Sequence, residues 1–390
     1  MSEIYRAGAV WTGMEFVFHS ALVIANGKVQ AVSNERSEGE IDLGPDSVIL
    51  PGLVNSHVHL DLSFARIDPT TDFVGWIKEV IRHRQELSPK LTLDAIRFGV
   101  RESLQAGVTT LGDISPDGAS WEILEEEGMG GIIYFECLGL TPERAEGSIS
   151  RFEDWLLQHQ ATQAIQPGIS PHAPQTTSRK IYEYADLCGL PVATHLGETS
   201  GEIQFLADRS GPFSDLLRGM RIDPSLCGFK DCGDVLHLLS HARRVGWIHT
   251  NFGKYPSRRG HYRVHCPATH AYFSREGNPL DQPEFSPESW VIATDGRSSS
   301  PNLDLWSQAR MVADMRPGLE PASILKMITS QPAKMMGVEN RVGALVPDLA
   351  ADFLVARLHS PIRNSPDVAR KILSEVNGFE SVWIGGAKRI

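Results

Sequence analysis

The chain has 390 residues, of which 41% are hydrophobic and 22% are charged, with 35 Gly and 24 Pro. These proportions are typical of a globular protein and exclude a fibrous or wholly disordered chain. The formal net charge of −11 and the lack of a long basic run argue against a nucleic-acid partner, because a phosphate backbone attracts Lys and Arg. We therefore expect a small-molecule partner.

Targeting signals and cysteine usage indicate a cytoplasmic protein. The first residues have no cationic segment followed by an apolar one, and no apolar run approaches the roughly 18 residues of a membrane span. We therefore expect no membrane partner. The five cysteines are an odd number scattered along a long chain, which does not indicate a disulfide framework. These residues are Cys137, Cys188, Cys227, Cys232 and Cys266.

Both ends of the chain have strand-like patterns. Near the N-terminus, apolar runs at 21–25 and 28–32 flank Asn26-Gly27, a pair typical of a hairpin turn. Near the C-terminus, segments 352–356 and 381–384 resemble strands, and Gly385-Gly386 follows as a turn. We expect residues 1–50 and 336–390 to form one small β-sandwich domain together.

Residues 51–335 alternate apolar runs that end in polar clusters with helical patterns. The eight predicted strands are 48–59, 108–114, 131–138, 165–171, 191–196, 246–250, 262–266 and 290–295. The predicted helices between them include 73–85, 93–105, 179–188 and 303–315, and 210–234 is expected to be an irregular insertion. This alternation predicts an α/β protein, a (β/α)₈ TIM barrel whose chemistry lies at the carboxyl ends of the strands.

Four polar side chains at predicted strand ends indicate a metal site. His57 and His59 are two residues apart on a strand, so their side chains point to the same face. His195 and Asp295 end the fifth and eighth predicted strands. Three imidazoles and one carboxylate suit a divalent ion, Zn²⁺ first and Fe²⁺ or Mn²⁺ as alternatives, with a position open for water.

Ordered motifs give a more specific indication. They are Pro51-Gly-Leu-Val-Asn-Ser-His-Val-His59, Ser170-Pro-His-Ala-Pro174, His195-Leu-Gly-Glu-Thr199, His249, His265-Cys-Pro-Ala-Thr-His-Ala-Tyr-Phe273 and Thr294-Asp-Gly-Arg-Ser-Ser-Ser-Pro-Asn302. With them the chain resembles the amidohydrolase superfamily over nearly its whole length, in particular the cytosine-deaminase and triazine-hydrolase branch. The resemblance implies that His57, His59, His195 and Asp295 hold one metal ion. Members with two metals generally use a carboxylated lysine at strand four, and residues 164–174 contain no lysine, so we expect a single ion.

Three residues are candidate catalytic groups. Glu198 follows His195 by three residues and is expected to shuttle protons to a ring nitrogen of a bound heterocycle; the alternative is a solvated charge at a helix start. Asp295 and His249 are candidates to accept or relay the proton of the attacking water. For His249 the alternative is a residue that only orients a metal ligand.

Candidate substrate-binding residues follow the predicted strand ends or begin the first helix. Packing roles are the alternative for each of them, and His270 receives no role. The candidates are His172, Phe73, Trp76, Arg297, Ser299 and Asn302.

The resembled branch contains deaminases of guanine, cytosine, adenosine-type nucleosides, S-adenosylhomocysteine and aminodeoxyfutalosine, and dechlorinating triazine hydrolases. Thr294-Asp-Gly296 followed by serines, and segments 61–64 and 72–84, resemble the aminodeoxyfutalosine deaminases. We therefore expect a metal-dependent hydrolytic deaminase that removes an exocyclic amino group from an adenine-bearing nucleoside by hydroxide attack. The alternatives are a guanine, cytosine or triazine deaminase, a dechlorinase, a cyclic amidase or, more distantly, a non-catalytic barrel. Barrels of this kind often form dimers, so a homodimer is one alternative for the oligomeric state.

Overall fold

The computed structural model describes residues 2–365 and 367–390. The chain begins with seven short strands: β1 (Glu3–Arg6), β2 (Ala9–Trp11), β3 (Phe16–Phe18), β4 (Ala21–Ala25), β5 (Lys28–Ser33), β6 (Ile41–Asp42) and β7 (Ser47–Pro51). The predicted hairpin is confirmed, because β4 and β5 pair antiparallel around Asn26 and Gly27. Both turn residues have positive φ, as a two-residue hairpin of this type requires.

Eight parallel strands then form the barrel. They are β8 (Leu53–Val58), β9 (Val108–Ser115), β10 (Gly130–Cys137), β11 (Ile165–Pro171), β12 (Val192–Leu196), β13 (Val245–His249), β14 (His261–His265) and β15 (Trp290–Ile292). Each strand pairs with its neighbour in chain order. Nearly every strand residue is buried, as expected for parallel strands covered on both faces. The predicted barrel is confirmed.

The first and last barrel strands meet at a seam. The backbone N–H of Asp295 donates to the carbonyl of His57 at 3.2 Å. The side chain of Asn55 donates to Thr294 Oγ1 at 2.7 Å and accepts from the Thr294 backbone N–H at 3.3 Å. The seam therefore brings His57 and Asp295, two predicted metal ligands, side by side.

Helices surround the barrel. They are α1 (Phe73–Glu86), α2 (Pro89–Gln105), α3 (Ser120–Glu127), α4 (Pro142–Gln158), α5 (Arg179–Leu187), α6 (Ser200–Asp208), α7 (Pro212–Gly219), α8 (Cys232–Leu238), α9 (Pro267–Tyr272), α10 (Leu305–Met315), α11 (Pro321–Met327), α12 (Ser330–Met336) and α13 (Val368–Glu375). Asp72, Ser88 and Thr141 cap their helices by accepting a backbone N–H. Among the described residues, no helix is long and apolar enough to cross a membrane.

Two predictions of local structure were wrong. The segment 48–59 is two strands, since β7 ends at Pro51 and β8 begins at Leu53. The intervening Gly52 sits against Thr109, and a Cβ there would lie 2.2 Å from its hydroxyl oxygen. The segment 210–234 is not irregular throughout, because it contains α7 and the start of α8. Leu217 and Phe213 of α7 are buried, so apolar packing sustains this helix despite the flanking Gly and Pro residues.

Both chain ends build a second unit. Strands β16 (Phe353–Arg357), β17 (Ser381–Ile384) and β18 (Ala387–Lys388) extend a six-stranded sheet of order β18-β17-β16-β7-β2-β3. A four-stranded sheet of order β5-β4-β1-β6 faces it. Between the sheets, the ring of Tyr5 contacts Phe353 and Trp383 with centroids 5.5 and 5.1 Å away. The two ends therefore share one apolar core, as the strand-like patterns predicted.

Candidate metal centre and active site

The predicted metal ligands converge at the carboxyl ends of the barrel strands. His57 lies in β8 and His59 one residue beyond it, while His195 lies in β12. Asp295 follows β15 by three residues and His249 ends β13. β8 and β15 are neighbours at the seam, β12 and β13 pair with each other, and the carboxyl ends of both pairs point their side chains to a common centre.

The distances within this group are short enough for one ion. His57 Nε2 and His59 Nε2 lie 3.4 and 3.6 Å from Asp295 Oδ1. The ring centroids of His57 and His195 are 5.1 Å apart. Candidate ligand atoms of His57, His59 and Asp295 all lie within 4.8 Å of one another, and those of His57, His195 and His249 form an overlapping group.

Unpartnered nitrogens show that these residues suit a metal. His57 is fully buried, and neither of its ring nitrogens has a hydrogen-bond partner among the described residues. A buried polar atom without a partner is costly, so a ligand is expected there. Three imidazoles and a carboxylate are a donor set for one divalent ion of the zinc type.

Neighbouring groups orient two of the ligands. His195 Nδ1 lies 3.0 Å from the carbonyl of His172, which fixes the proton on Nδ1 and leaves Nε2 free to bind a metal. Asp295 Oδ1 accepts from the Gly296 backbone at 2.7 Å, and Oδ2 accepts from the hydroxyls of Thr269 and Ser299, both at 3.0 Å. The carboxylate is thus held in one orientation.

The electrostatic environment gives these groups the protonation states that ligation needs. Burial, with repulsion from neighbouring imidazoles, lowers the pKa of His195 to about 4 and that of His59 well below the usual range. Burial acts to raise the pKa of Asp295, but the histidines around it outweigh this and hold the pKa well below its usual value. These pKa directions favour neutral imidazoles at His59 and His195 and an ionised carboxylate at Asp295.

Backbone conformation helps to aim two of the polar side chains. His249 and Asp295 both have positive φ, 70° and 61°. Histidine and aspartate are among the non-glycine residues that adopt this region most readily. Each residue lies where a strand ends and a loop begins. The left-handed backbone conformation turns the chain at that point, and the side chain faces the centre of the site.

Glu198 lies beside the metal ligands and is 7% exposed. Its Oε1 is 3.4 Å from His249 Nε2, and His249 Nε2 is 3.9 Å from Asp295 Oδ2. Oε1 also accepts a hydrogen bond from Arg275 at 2.7 Å. Burial raises the pKa of Glu198 to about 7, although Arg275 opposes the rise. This carboxyl group can therefore exist in both protonation states near neutral pH.

A cavity of about 650 Å³ opens above the centre. The side chains of His59, His195, Glu198, His249 and Asp295 line it. Three predicted substrate-binding residues, His172, Phe73 and Trp76, also line it. Phe73 stacks on Trp76 with centroids 5.4 Å apart, and the Trp76 indole donates to the carbonyl of Ser298 at 2.8 Å. Helix α7 adds Phe213 and Leu217 to this apolar wall.

Three other candidates for substrate binding do not line the cavity. Arg297 turns outward to an ion pair with Glu102 and lies over the ring of Phe98 at 5.4 Å. The side chain of Asn302 accepts from the backbone N–H of Asp304 at 3.1 Å, just before α10. Ser299 donates to Asp295, so its hydroxyl holds that carboxylate and does not face the cavity. Asp295 and Ser298 of the same loop do line the cavity, so neighbouring positions of this loop face in different directions.

His270, to which the sequence assigned no role, holds a loop. Its Nε2 lies 2.9 Å from the carbonyl of Gly277.

Sequence reasoning missed three polar residues of the site. Glu136 interrupts the apolar run of β10 one residue before its end, a signal of the same kind as His195. Arg84 lies near the end of α1 and donates to Asp61 at 2.7 Å. Arg275 follows α9 in a loop, where nothing in the local sequence marks it.

Comparison with known proteins agrees with this geometry. A family profile described as "Amidohydrolase family" matches residues 48–386. The aminodeoxyfutalosine deaminase of a Nitratiruptor species is 22% identical over 360 residues, which are 88% of this chain and 87% of that protein.

Two solved structures share the fold. Helicobacter pylori aminofutalosine deaminase in complex with methylthio-coformycin has a TM-score of 0.85 at 18% identity, over 100% of both chains. An adenosine deaminase from Xanthomonas campestris with bound zinc has a TM-score of 0.79 at 18% identity, over 99% of this chain and 92% of that one. The profile spans all eight barrel strands and continues through β16 and β17. The chain therefore belongs to the amidohydrolase family and is a hydrolase that acts on C–N bonds.

Proposed function

We propose that the protein is a zinc-dependent hydrolytic deaminase of adenine nucleosides that releases the exocyclic amino group as ammonia. The observation that carries this proposal is the position of Glu198, a buried carboxyl group beside the ligand cluster and at the floor of a large, mostly apolar cavity. Relatives named as deaminases of adenine nucleosides support the substrate class.

The metal would be held by His57, His59, His195 and Asp295. When bound, it supplies a Lewis acid that makes water nucleophilic near neutral pH. The protein side chains then divide the remaining work, which consists of moving protons, holding the base and excluding bulk water.

Proton transfer falls to Glu198 and His249. Protonation of a ring nitrogen next to the amino-bearing carbon makes that carbon electrophilic, and a second protonation lets ammonia leave. Glu198 can give and regain a proton at such a nitrogen because its pKa is raised to about 7. His249 lies between Glu198 and Asp295, and burial keeps its pKa well below the usual value, so its neutral imidazole can accept a proton.

The apolar wall suits a planar base. Phe73, Trp76 and Phe213 offer aromatic surface on one side of the cavity, where a heterocycle gains from stacking and burial. The polar groups at the floor then meet one edge of the base.

Ammonia release tests the proposal. Zinc-loaded protein is incubated with aminodeoxyfutalosine, adenosine, 5′-deoxyadenosine, S-adenosylhomocysteine, guanine, cytosine and an aminotriazine, and a chelator-treated sample is the control. We expect chelator-sensitive ammonia from at least one adenine nucleoside. Ammonia from guanine, cytosine or the triazine alone would contradict the substrate class, and silence across the panel with metal bound would contradict deamination.

We also infer that the protein works in a reducing compartment such as the cytoplasm. All five cysteines are free thiols, and four of them are buried. Burial raises the pKa of Cys137 and Cys232 to about 12, which keeps these thiols protonated and unreactive.

A further inference from the structure

A second polar site lies in the same cavity, beside the metal ligands. Glu136, at the end of β10, is 2% exposed and lines the cavity. Its Oε1 has no hydrogen-bond partner among the described residues. Oε2 lies 3.6 Å from a terminal nitrogen of Arg84, which is beyond hydrogen-bond distance. A buried carboxylate oxygen without a donor is costly, so this atom marks a place for a ligand group.

His172 provides a second acceptor next to Glu136. Its Nδ1 lies 2.7 Å from Thr176 Oγ1, and that hydroxyl donates its own proton to the carbonyl of Ala173 at 3.1 Å. Thr176 therefore accepts from Nδ1, which must carry the ring proton. Burial lowers the pKa of His172 well below its usual value, so the ring is neutral. Its Nε2 is left as an acceptor, 3.9 Å from Glu136 Oε1.

Two acceptors this close, with no donor between them, define the ligand they can take. An anionic oxygen placed between these two atoms would be repelled, because it brings another acceptor and no proton. A pair of adjacent hydroxyls fits, since each can donate one hydrogen bond, and a hydrogen bond to a carboxylate is among the stronger kinds.

The position of the pair relates it to the reacting base. The rings of His172 and His195 have centroids 5.0 Å apart, so the acceptors lie one imidazole away from the metal ligands. The positive charge of Arg84 lies near both carboxylates. Arg84 pairs with Asp61 at 2.7 Å and attracts Glu136 from 3.6 Å without forming a hydrogen bond to it. The two acceptors and three of the candidate metal ligands therefore line one cavity, where both can meet a single substrate.

Building on the proposed function, we propose that Glu136 and His172 bind the 2′- and 3′-hydroxyls of the substrate ribose and make the enzyme selective for ribosides. Glu136 is the residue that sets this selectivity, since its carboxylate accepts from either hydroxyl. A nucleoside that lacks one hydroxyl would leave the buried carboxylate with one donor fewer.

Matched nucleosides test this with the unaltered protein. kcat/KM is measured for adenosine, 2′-deoxyadenosine and 3′-deoxyadenosine. We expect at least one deoxynucleoside to lose about tenfold or more, as a site built to bind a hydroxyl rejects an analogue without it. Equal kcat/KM for all three would overturn the proposal while leaving the deaminase assignment intact.

The variant Glu136→Gln assigns the effect to its residue. The amide keeps the size of the side chain but lacks the charge, so the ratio between adenosine and the deoxynucleosides should fall towards one. Glu183→Gln is the matched control and should leave the ratio unchanged, because Glu183 lies on the exposed face of α5 and does not line the cavity. An unchanged ratio in folded Glu136→Gln would contradict the role of Glu136. If that variant does not fold, the comparison of nucleosides on the unaltered protein decides.

A binding measurement separates this proposal from the deaminase proposal. Calorimetric titration of Glu198→Gln protein with adenosine, 2′-deoxyadenosine and 3′-deoxyadenosine reads affinity without turnover. We expect at least one deoxynucleoside to bind about tenfold more weakly than adenosine. If the unaltered protein releases no ammonia from any nucleoside but this difference is present, deamination fails and the ribose site stands. Equal affinities would remove the ribose site whatever the activity.

Discussion

At the scale of single residues, the site depends on groups that are buried before any ligand arrives. Within the described part of the chain, His57 has two buried nitrogens without hydrogen-bond partners, and Glu136 has one such oxygen. Glu198 holds a carboxyl group whose pKa is raised to about 7 by burial. A fold that maintains such costly groups stores binding energy for a metal and a substrate, because the penalty is relieved only when those arrive.

Replacing Glu198 separates proton transfer from metal binding. Glu198→Gln keeps the shape of the side chain but cannot shuttle a proton, so we expect kcat to fall by about 100- to 10,000-fold. Zinc content, measured by elemental analysis, should stay near that of the unaltered protein. Glu183→Gln on the exposed face of α5 is the control and should keep full activity. Substantial turnover by Glu198→Gln would remove Glu198 from the mechanism.

Arg275 is expected to position Glu198. Its guanidinium donates to Glu198 Oε1 at 2.7 Å and lies over the ring of Phe273 at 4.5 Å. We predict that Arg275→Met lowers kcat by about 10- to 100-fold with little change in zinc content, because the carboxyl group loses its fixed orientation.

Steady-state kinetics of a second arginine variant provide the control for that prediction. Arg297 also pairs with a glutamate, but it lies outside the cavity. Arg297→Met should therefore keep a kcat/KM close to that of the unaltered protein. Equal losses in the two variants would indicate general damage rather than positioning.

At the scale of elements, the candidate site lies at the strand ends, and the contacts between β8 and β15 close the barrel. Asn55 crosses this seam with two side-chain hydrogen bonds to Thr294, and both residues are fully buried. A buried polar group that loses its hydrogen-bond partner destabilises the folded state more than an exposed one, because water cannot replace the partner. A substitution at the seam should therefore displace His57 and Asp295 together.

We predict that Asn55→Ala lowers the free energy of unfolding by about 1 to 3 kcal/mol, since it leaves the hydroxyl and N–H of Thr294 without their partner. Urea unfolding followed by circular dichroism measures the change. Asn34→Ala, at an exposed position, is the control and should be close to neutral. A neutral Asn55→Ala would show that the seam is held by other contacts.

Elements with strong apolar periodicity could be predicted from the sequence, and contacts between distant residues could not. The barrel strands, and the positions of His57, His195 and Asp295 at strand ends, follow from apolar runs that end in polar residues. The break between β7 and β8 at Gly52 could not be predicted, because both strands are apolar. They differ only in the sheet that each one joins. Arg297 follows a ligand in sequence, yet its ion pair with Glu102 on α2 turns it outward. No local pattern encodes such a pairing.

At the scale of the whole molecule, the ligands come from strands far apart in the sequence. A metal bound to β8, β12 and β15 together would favour the folded state, since the unfolded chain holds no preformed site. We predict that zinc raises the midpoint of thermal unfolding by several degrees and that a chelator reverses this. His57→Ala protein should show a much smaller shift in the same calorimetric scan. An equal shift in that variant would place the stabilising ion elsewhere.

The sheet shared by both ends also has a consequence for synthesis. Strand β7 pairs with β2 on one side and with β16 on the other. Since β16 is synthesised long after β7, a nascent chain on the ribosome carries β7 with one edge open until β16 emerges. An open edge of apolar strand invites pairing with other chains. Production of this protein in quantity should therefore depend on chaperones that shield the early strands, and a lower growth temperature should raise the recovered yield.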